Sequence, residues 1–374
     1  MPPIVIDLRQ TDDTRDVVHR AVQTLAEGKL VVFPTETVYG VGASARSASG
    51  VRRLFAAKGR SENTPLTLAI KSADEALDYA PNPGKIGLRL ARRCWPGPIT
   101  LVMDADDDAS LVHQFPKEVR QAVAPESTVG LRVPANKILQ DVLCMLAGPI
   151  ALTSANVSGK PPATTAEEAT SSLSEHVSLV LNSGPCRYGQ PSTVVRVSGD
   201  KYHCLRPGVV GETALDRLSS MITVLVCTGN TCRSPMAEAL LKRMAAEKLN
   251  CKIDELEQRG VIIASAGVAA VEGCAPSPEA VEVMKEKGLD ISRHESQPLT
   301  DKLVKHADLI MTMTRSHRQA VLRRWPEAAS RTLSLRVDGG DVSDPIGASK
   351  SVYSQCADQL EEALAQRLEA IDFN

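Results

Sequence analysis

Aromatic residues are scarce in this 374-residue chain, 3% in all, with two Trp, five Tyr and four Phe. That argues against the stacked aromatic platforms that hold single-stranded nucleic acid. Charge of one sign is also missing. The 43 Lys and Arg stand against 45 Asp and Glu, a formal net charge of −2, which disfavours a general polyanion binder. No apolar run approaches the ~18 residues of a membrane span, and the first residues carry no signal-peptide pattern. There is no Cys-x2-Cys pair and no His-x3-His spacing, so no protein metal site is expected and the histidines read as surface or packing residues. No Gly-x4-Gly-Lys-Ser/Thr loop occurs, which excludes a P-loop nucleotide site. The nine cysteines are odd in number and scattered, and they read as thiols of a reducing cytoplasm rather than a disulfide framework.

What is present is ordinary globular material: 43% apolar and 24% charged residues, over a length that suggests two to three domains at roughly 150 residues each. Short β-rich runs alternate with helical stretches. Strands are expected at 29–33, 66–70, 99–103, 129–133, 149–153, 193–197 and 222–226, and a helix over 51–58. The fold class is therefore α/β. The pattern restarts at Met221, which places a first domain over 1–219 and a second over 220–374. Both halves are charge-balanced and no repeat relates them.

The strongest short signal is the string Cys227-Thr228-Gly229-Asn230-Thr231-Cys232-Arg233-Ser234-Pro235, between a strand and a helix with Met236, Leu240, Leu241 and Met244 on one face. Ser234 fits an N-cap and Pro235 the first helical position. Backbone N–H groups at such a helix start bind anions, and a thiol there ionises readily. Arg233 adds a bidentate fork for phosphate oxygens. Thiolate, amide cradle and Arg together suit phosphoryl transfer to sulfur.

This string resembles the low-molecular-weight phosphotyrosine-phosphatase family over about 222–368. The resemblance implies a doubly wound parallel-sheet domain without a cofactor, acting on a phosphoprotein. It implies Cys227 as nucleophile, Arg233 as phosphate clamp, Ser234 steadying the thiolate, and residues 228–232 (Thr228, Gly229, Asn230, Thr231, Cys232) as the phosphate-binding loop. Asp344, in Asp344-Pro345, becomes the acid that protonates the leaving group. Cys232 is either a small filler or the partner of a protective disulfide with Cys227. Thr231, where tyrosine-directed members carry a bulky aliphatic, and the run on to Leu240 resemble the protein-arginine-phosphatase branch. Ile346 departs from both branches, which place an aromatic wall there. Arsenate reduction on the same fold would need a mobile resolving thiol, and neither Cys274 nor Cys356 lies in a Cys-rich tail.

In the first half, Gly40-Val41-Gly42 only faintly mimics a dinucleotide fingerprint. Lys58-Gly59-Arg60 brings two cations that neutralise a polyphosphate if they close on it. Ser154-Ala155-Asn156 offers hydroxyl and amide groups at a strand end. The turn at 95–98 reads as structural. Together these resemble the YrdC-type threonylcarbamoyl-AMP synthase family over about 17–208, with its Lys-x-Arg and Ser-x-Asn signature. The resemblance implies a twisted mixed-sheet domain with a concave cavity. It implies that Lys58, Arg60, Thr128, Ser154, Asn156 and Arg206 hold ATP with its Mg²⁺, while Thr35, Arg132 and Ser192 hold L-threonine. Bicarbonate would be the third substrate, and the product would pass to proteins that build threonylcarbamoyladenosine into tRNA. Thr64, Ala69, Pro162 and Pro191 stand where the family commonly has other residues. A nucleotide- or RNA-binding module without turnover is the competing reading for this half.

Overall fold

The computed structural model describes residues 2–59 and 64–373. They form two compact units, Met1–Leu215 and Asp216–Asn374. The division falls inside the helix Glu212–Ser219, whose last residue the sequence reading took as the end of the first domain.

The first unit is built on ten strands: β1 (Ile4–Asp7), β2 (Val31–Phe33), β3 (Gly40–Ser44), β4 (Thr67–Ala69), β5 (Ile99–Asp104), β6 (Thr128–Arg132), β7 (Ile150–Ser154), β8 (Leu179–Asn182), β9 (Thr193–Ser198) and β10 (Lys201–Arg206). They make one mixed sheet in the order β1-β8-β2-β3-β7-β4-β6-β5-β9-β10. The expected strands of this half lie within a residue or two of observed ones. β1, β3, β8 and β10 carried no clear signal. β3 reads Gly-Val-Gly-Ala-Ser and has little of the β-branched bulk that marks a strand.

Two amphipathic helices cover one part of this sheet. Thr14–Ala26 starts at Asp13, whose carboxylate accepts from Arg15 N and Asp16 N. It buries Val17, Val18, Ala21 and Leu25. Lys137–Met145 is capped by Asn136 and buries Ile138, Leu139, Val142 and Leu143. Both pack with Val31, Phe33, Ile150 and Leu181 in one core. Each fully buried Leu or Val contributes about 1.5–3 kcal/mol.

The second unit has four parallel strands, β11 (Met221–Cys227), β12 (Val261–Gly267), β13 (Leu309–Thr312) and β14 (Thr332–Ser334), ordered β12-β11-β13-β14. Successive side chains of β11 go to opposite faces, as the strand period requires. Met221, Leu225 and Cys227 join the core under the helices Arg233–Lys248, Pro278–Glu286 and Lys350–Leu368. Ile222, Val224 and Val226 join the opposite core with Val304, Val321 and Trp325. Because β11 has a neighbour on each side, the chain reverses direction across the sheet at its C-terminal end. That switch point is where open α/β sheets bind ligands, and it is where Cys227 stands.

Candidate active sites

In the first unit, Ser47 caps the helix Ala48–Lys58 and Gly59 ends it in the left-handed region, at φ 56. Lys58, the last helical residue, is buried at 2% exposure. Its Nζ donates to Ser154 O at 2.7 Å and to Asn156 O, and lies 3.2 Å from Asn156 Oδ1 and 3.4 Å from Ser154 Oγ. The Lys58 and Ser154–Asn156 segments thus meet, although 96 residues separate Lys58 from Ser154. Arg60 lies outside the described residues.

These groups border a cavity of about 340 Å³ on the central strands β3, β7, β4, β6 and β5. Thr35, Lys58, Arg132, Ser154, Asn156, Ser192 and Arg206 all line it. Thr128 does not figure in the lining. It shares a face of β6 with Gly130 and Arg132 at the strand's far end. Among the described residues, the charged lining residues are Lys58, Arg132, Lys160 and Arg206, with no carboxylate.

Arg132 is held from behind. Its Nη2 donates to Glu36 Oε1 at 2.7 Å and to Thr37 Oγ1 at 2.9 Å, and its Nε to Gly97 O at 3.3 Å. The Arg132 and Glu36 side chains are 7% and 9% exposed. Thr35 Oγ1 donates to Val38 O at 2.6 Å. Ser192 Oγ lies 3.0 Å from Thr100 Oγ1, and Arg206 Nη2 donates to Ser192 O at 2.8 Å. Desolvation, and then the nearby Arg132 charge, lower the pKa of Arg206. A cavity whose cations repel one another is poised for an anion.

Sequence reasoning did not single out Glu36, Thr37, Thr100 or Lys160, and it read the 95–98 turn as structural although Gly97 O holds Arg132. Glu36 is 96 residues from Arg132, and no local pattern marks that pairing.

In the second unit the Cys227 loop closes on its own sulfur. Asn230 N donates to Cys227 Sγ at 3.2 Å, and Ser234 Oγ lies 2.9 Å from it. Ser234 is not the N-cap expected from its hydroxyl. The helix starts at Arg233 with Cys232 as cap, so Ser234 falls in the first turn and its hydroxyl turns to the thiol. Asn230 takes a left-handed φ of 58, which Asn tolerates better than most residues. Its Nδ2 donates to Ser234 Oγ and Ser265 Oγ at 2.9 and 2.8 Å, and its Oδ1 accepts from Gln297 N at 2.8 Å. Gly267 must be glycine here: a Cβ would lie 2.3 Å from Thr228 O.

Arg233 is buried and reaches Asp344 across 111 residues of sequence, Nη2 to Oδ2 at 2.5 Å. Its Nη1 donates to Val342 O at 3.3 Å. Clamp and candidate acid therefore converge. Cys232 Sγ lies 3.5 Å from Tyr353 OH, and every cysteine is a free thiol. His317, which the sequence did not flag, bridges Thr228 Oγ1 at 2.8 Å and Thr314 Oγ1 at 2.9 Å through its two ring nitrogens. Burial, then the Arg233 charge, push its pKa down to about 4, so the ring is neutral near pH 7. An anion cradle with a thiol at its centre, a buried guanidinium and a facing carboxylate defines a cysteine-dependent phosphoryl-transfer site.

Two family models match the chain. The family model Sua5_yciO_yrdC, described as "Telomere recombination", matches residues 23–208. That of the low molecular weight phosphotyrosine protein phosphatases matches 222–374. The threonylcarbamoyl-AMP synthase of Pyrococcus abyssi is 32% identical over 266 residues, 68% of this chain and 75% of that protein. The protein-arginine-phosphatase of Bacillus subtilis is 42% identical over 150 residues, 39% of this chain and 93% of that one. A solved structure of P. abyssi Sua5 shares the fold, at 23% identity, over 96% of this chain and 97% of that one, with a TM-score of 0.52. The chain belongs to the Sua5/YrdC threonylcarbamoyl-AMP synthase family through its first domain and to the low molecular weight protein phosphatase family through its second. It is a two-domain enzyme whose phosphatase half resembles the protein-arginine-phosphatases. No helix among the described residues is long and apolar enough to cross a membrane.

Proposed function

We propose that the first domain condenses L-threonine, bicarbonate and ATP into L-threonylcarbamoyladenylate, and that the second hydrolyses phosphoarginine in proteins. For the first, the observation that carries the reading is the cavity lined, among the described residues, by four cations and no carboxylate. Threonine's amine and bicarbonate combine to a carbamate with loss of water. A carbamate oxygen attacks the α-phosphorus of ATP. The bond to the bridging oxygen breaks and its electron pair leaves with pyrophosphate. Thr35, Arg132 and Ser192 are assigned to threonine. Lys58, Arg60, Thr128, Ser154, Asn156 and Arg206 are assigned to the nucleotide side. Orientation and electrostatics suffice, with no side-chain nucleophile. Among the described residues the lining furnishes no carboxylate for Mg²⁺, so the ion would come as the nucleotide's own counter-ion. The mixed anhydride then serves proteins that modify tRNA in the cytoplasm.

For the second domain, the carrying observation is the double hydrogen bonding of Cys227 Sγ beside the Arg233–Asp344 pair. The Cys227 thiolate attacks phosphorus, and Arg233 neutralises the oxygens. The P–N bond breaks as Asp344 gives its proton to the leaving guanidine nitrogen. Water then cleaves the S–P bond, and Asp344 takes back a proton. Phosphoarginine is favoured over phosphotyrosine by Thr231, which stands just before Cys232 where tyrosine-directed members carry a bulky aliphatic side chain, and by the 42% identity of this half to a protein-arginine-phosphatase. A Thr hydroxyl offers a guanidinium a hydrogen-bond partner that an aliphatic side chain lacks.

Two assays on the full chain test this. Pyrophosphate release should require both threonine and bicarbonate; release without them sinks the synthase reading. Phosphoarginine peptides should be hydrolysed faster than phosphotyrosine peptides, and Cys227→Ser should abolish both activities. The opposite preference returns the domain to tyrosine substrates.

A further inference from the structure

Asp344 stands on the loop 335–349, between β14 and the helix Lys350–Leu368, and its side chain is 46% exposed. Its carboxylate accepts from Arg233 Nη2 and from Ile346 N. The second contact lies within the loop and moves with it. The first does not survive the reaction. A phosphoryl group in the cradle takes the Arg233 fork. An acid must also carry a proton, and a guanidinium against a carboxylate favours the anion. The Arg233–Asp344 pair is therefore a resting contact that substrate breaks.

What then fixes the acid is the backbone before it. Val342 is tied through its N–H to Met313 O at 2.8 Å and through its O to Arg233 Nη1 at 3.3 Å. Ser343, directly before Asp344, is gripped on both sides from the helix Lys350–Leu368. Its N–H donates to Gln359 Oε1 at 3.3 Å, and its O accepts from the Cys356 thiol, with Sγ 3.4 Å away. Residues 356 and 359 are neighbours on one helix face. That face is anchored, because Tyr353, Cys356 and Leu360 belong to the core that Cys227 and Cys232 join. Burial pushes the Cys356 thiol up to about 12, so it keeps its hydrogen and stays a donor. One rigid helix thus carries both the packing under the nucleophile and the grip on the acid's neighbour.

We propose that Gln359, together with Cys356, is the positioning residue that keeps the Asp344 carboxyl on the leaving group once substrate occupies Arg233. This rests on the phosphatase reading above. Gln359 acts through Ser343. The step it serves is the first one: as the Cys227 thiolate bonds to phosphorus, the bond to the leaving atom breaks and the Asp344 proton passes to that atom. A leaving group stable as an anion needs no proton there, and so no held acid.

The test is a leaving-group comparison on the full chain, with aryl phosphates as probes because their leaving groups can be graded. kcat/KM is read for phenyl phosphate, whose leaving group is poor, and for dinitrophenyl phosphate, whose leaving group departs as a stable anion. Gln359→Met keeps the length of the side chain and loses its acceptor. It should lower kcat/KM about tenfold or more on phenyl phosphate and less than about twofold on dinitrophenyl phosphate. Gln359→Glu keeps an acceptor oxygen and should restore most of the loss. Asp344→Asn should show the same selectivity with a larger fall, about 10²- to 10⁴-fold. An equal fall on both esters in Gln359→Met overturns the inference, because it marks a damaged site rather than a displaced acid. An unchanged kcat/KM on phenyl phosphate overturns it too. The phosphatase reading fails separately, and takes the inference with it, if Cys227→Ser hydrolyses these esters as wild type does.

Discussion

Truncating Asn230 to Ala should disable the phosphatase domain through two separable losses. Asn230 is fully buried, its side chain makes three hydrogen bonds, and its backbone is left-handed. Removing Oδ1 leaves the Gln297 N–H without its acceptor, which costs about 1–3 kcal/mol. The left-handed φ costs an Ala about 1–2 kcal/mol more. The sum, about 2–5 kcal/mol, is a large share of a domain's stability. Asn230→Gly removes the same side chain without the backbone penalty, so it should recover about 1–2 kcal/mol. Asn230→Asp keeps an acceptor for Gln297 but loses both donors and sets a carboxylate near Cys227 Sγ, so it should fold better than Ala and turn over worse. Hydrogen exchange at the β11 amides reports this domain alone, and a peptide hydrolysis assay reports turnover. Asn230→Gly found less stable than Asn230→Ala would refute the reasoning, because the φ of 58 would then carry no strain for Ala.

Further outcomes follow from the same geometry. Gly267→Ala should cut phosphatase kcat by ten- to a hundredfold or more, since its Cβ would displace Thr228 O and with it the loop, while synthase turnover holds. The change Ile346→Phe, beside Asp344, should raise kcat/KM for aryl phosphates about two- to tenfold, the worth of one stacked pair. His317 has a folded pKa near 4 against 6.5 unfolded, so the unfolded state binds the extra proton between these values. Its contribution is therefore intact above pH 6.5 and lost as pH falls toward 4, on the order of 2–3 kcal/mol. Urea unfolding of the second domain across pH 4–7 should show a shallower slope in His317→Gln than in wild type. Glu36→Ala should strip a buried ion pair of one partner and cost the first domain about 3–5 kcal/mol, read by exchange at the β6 amides.

The parts of these sites that were legible in the sequence are those whose chemistry is local. The Cys227–Ser234 string carries its nucleophile, its anion-binding turn and its clamp in consecutive residues, and a strand before it and a helix after it fix where it must lie. Lys58, Ser154 and Asn156 were legible for another reason: alone each string reads as a helix end or a turn, and only together do they match the Lys-x-Arg and Ser-x-Asn signature of the YrdC-type family. What stayed hidden is the set of partners that hold these groups. Glu36 orients Arg132 from 96 residues away, and His317 holds Thr228 from 89 residues away. In each case the residue's own neighbourhood looks like a turn or a helix start. The same is true of Ser234, whose hydroxyl has two uses at a helix start; the geometry of Cys227 took it from the backbone cap and gave it to the sulfur.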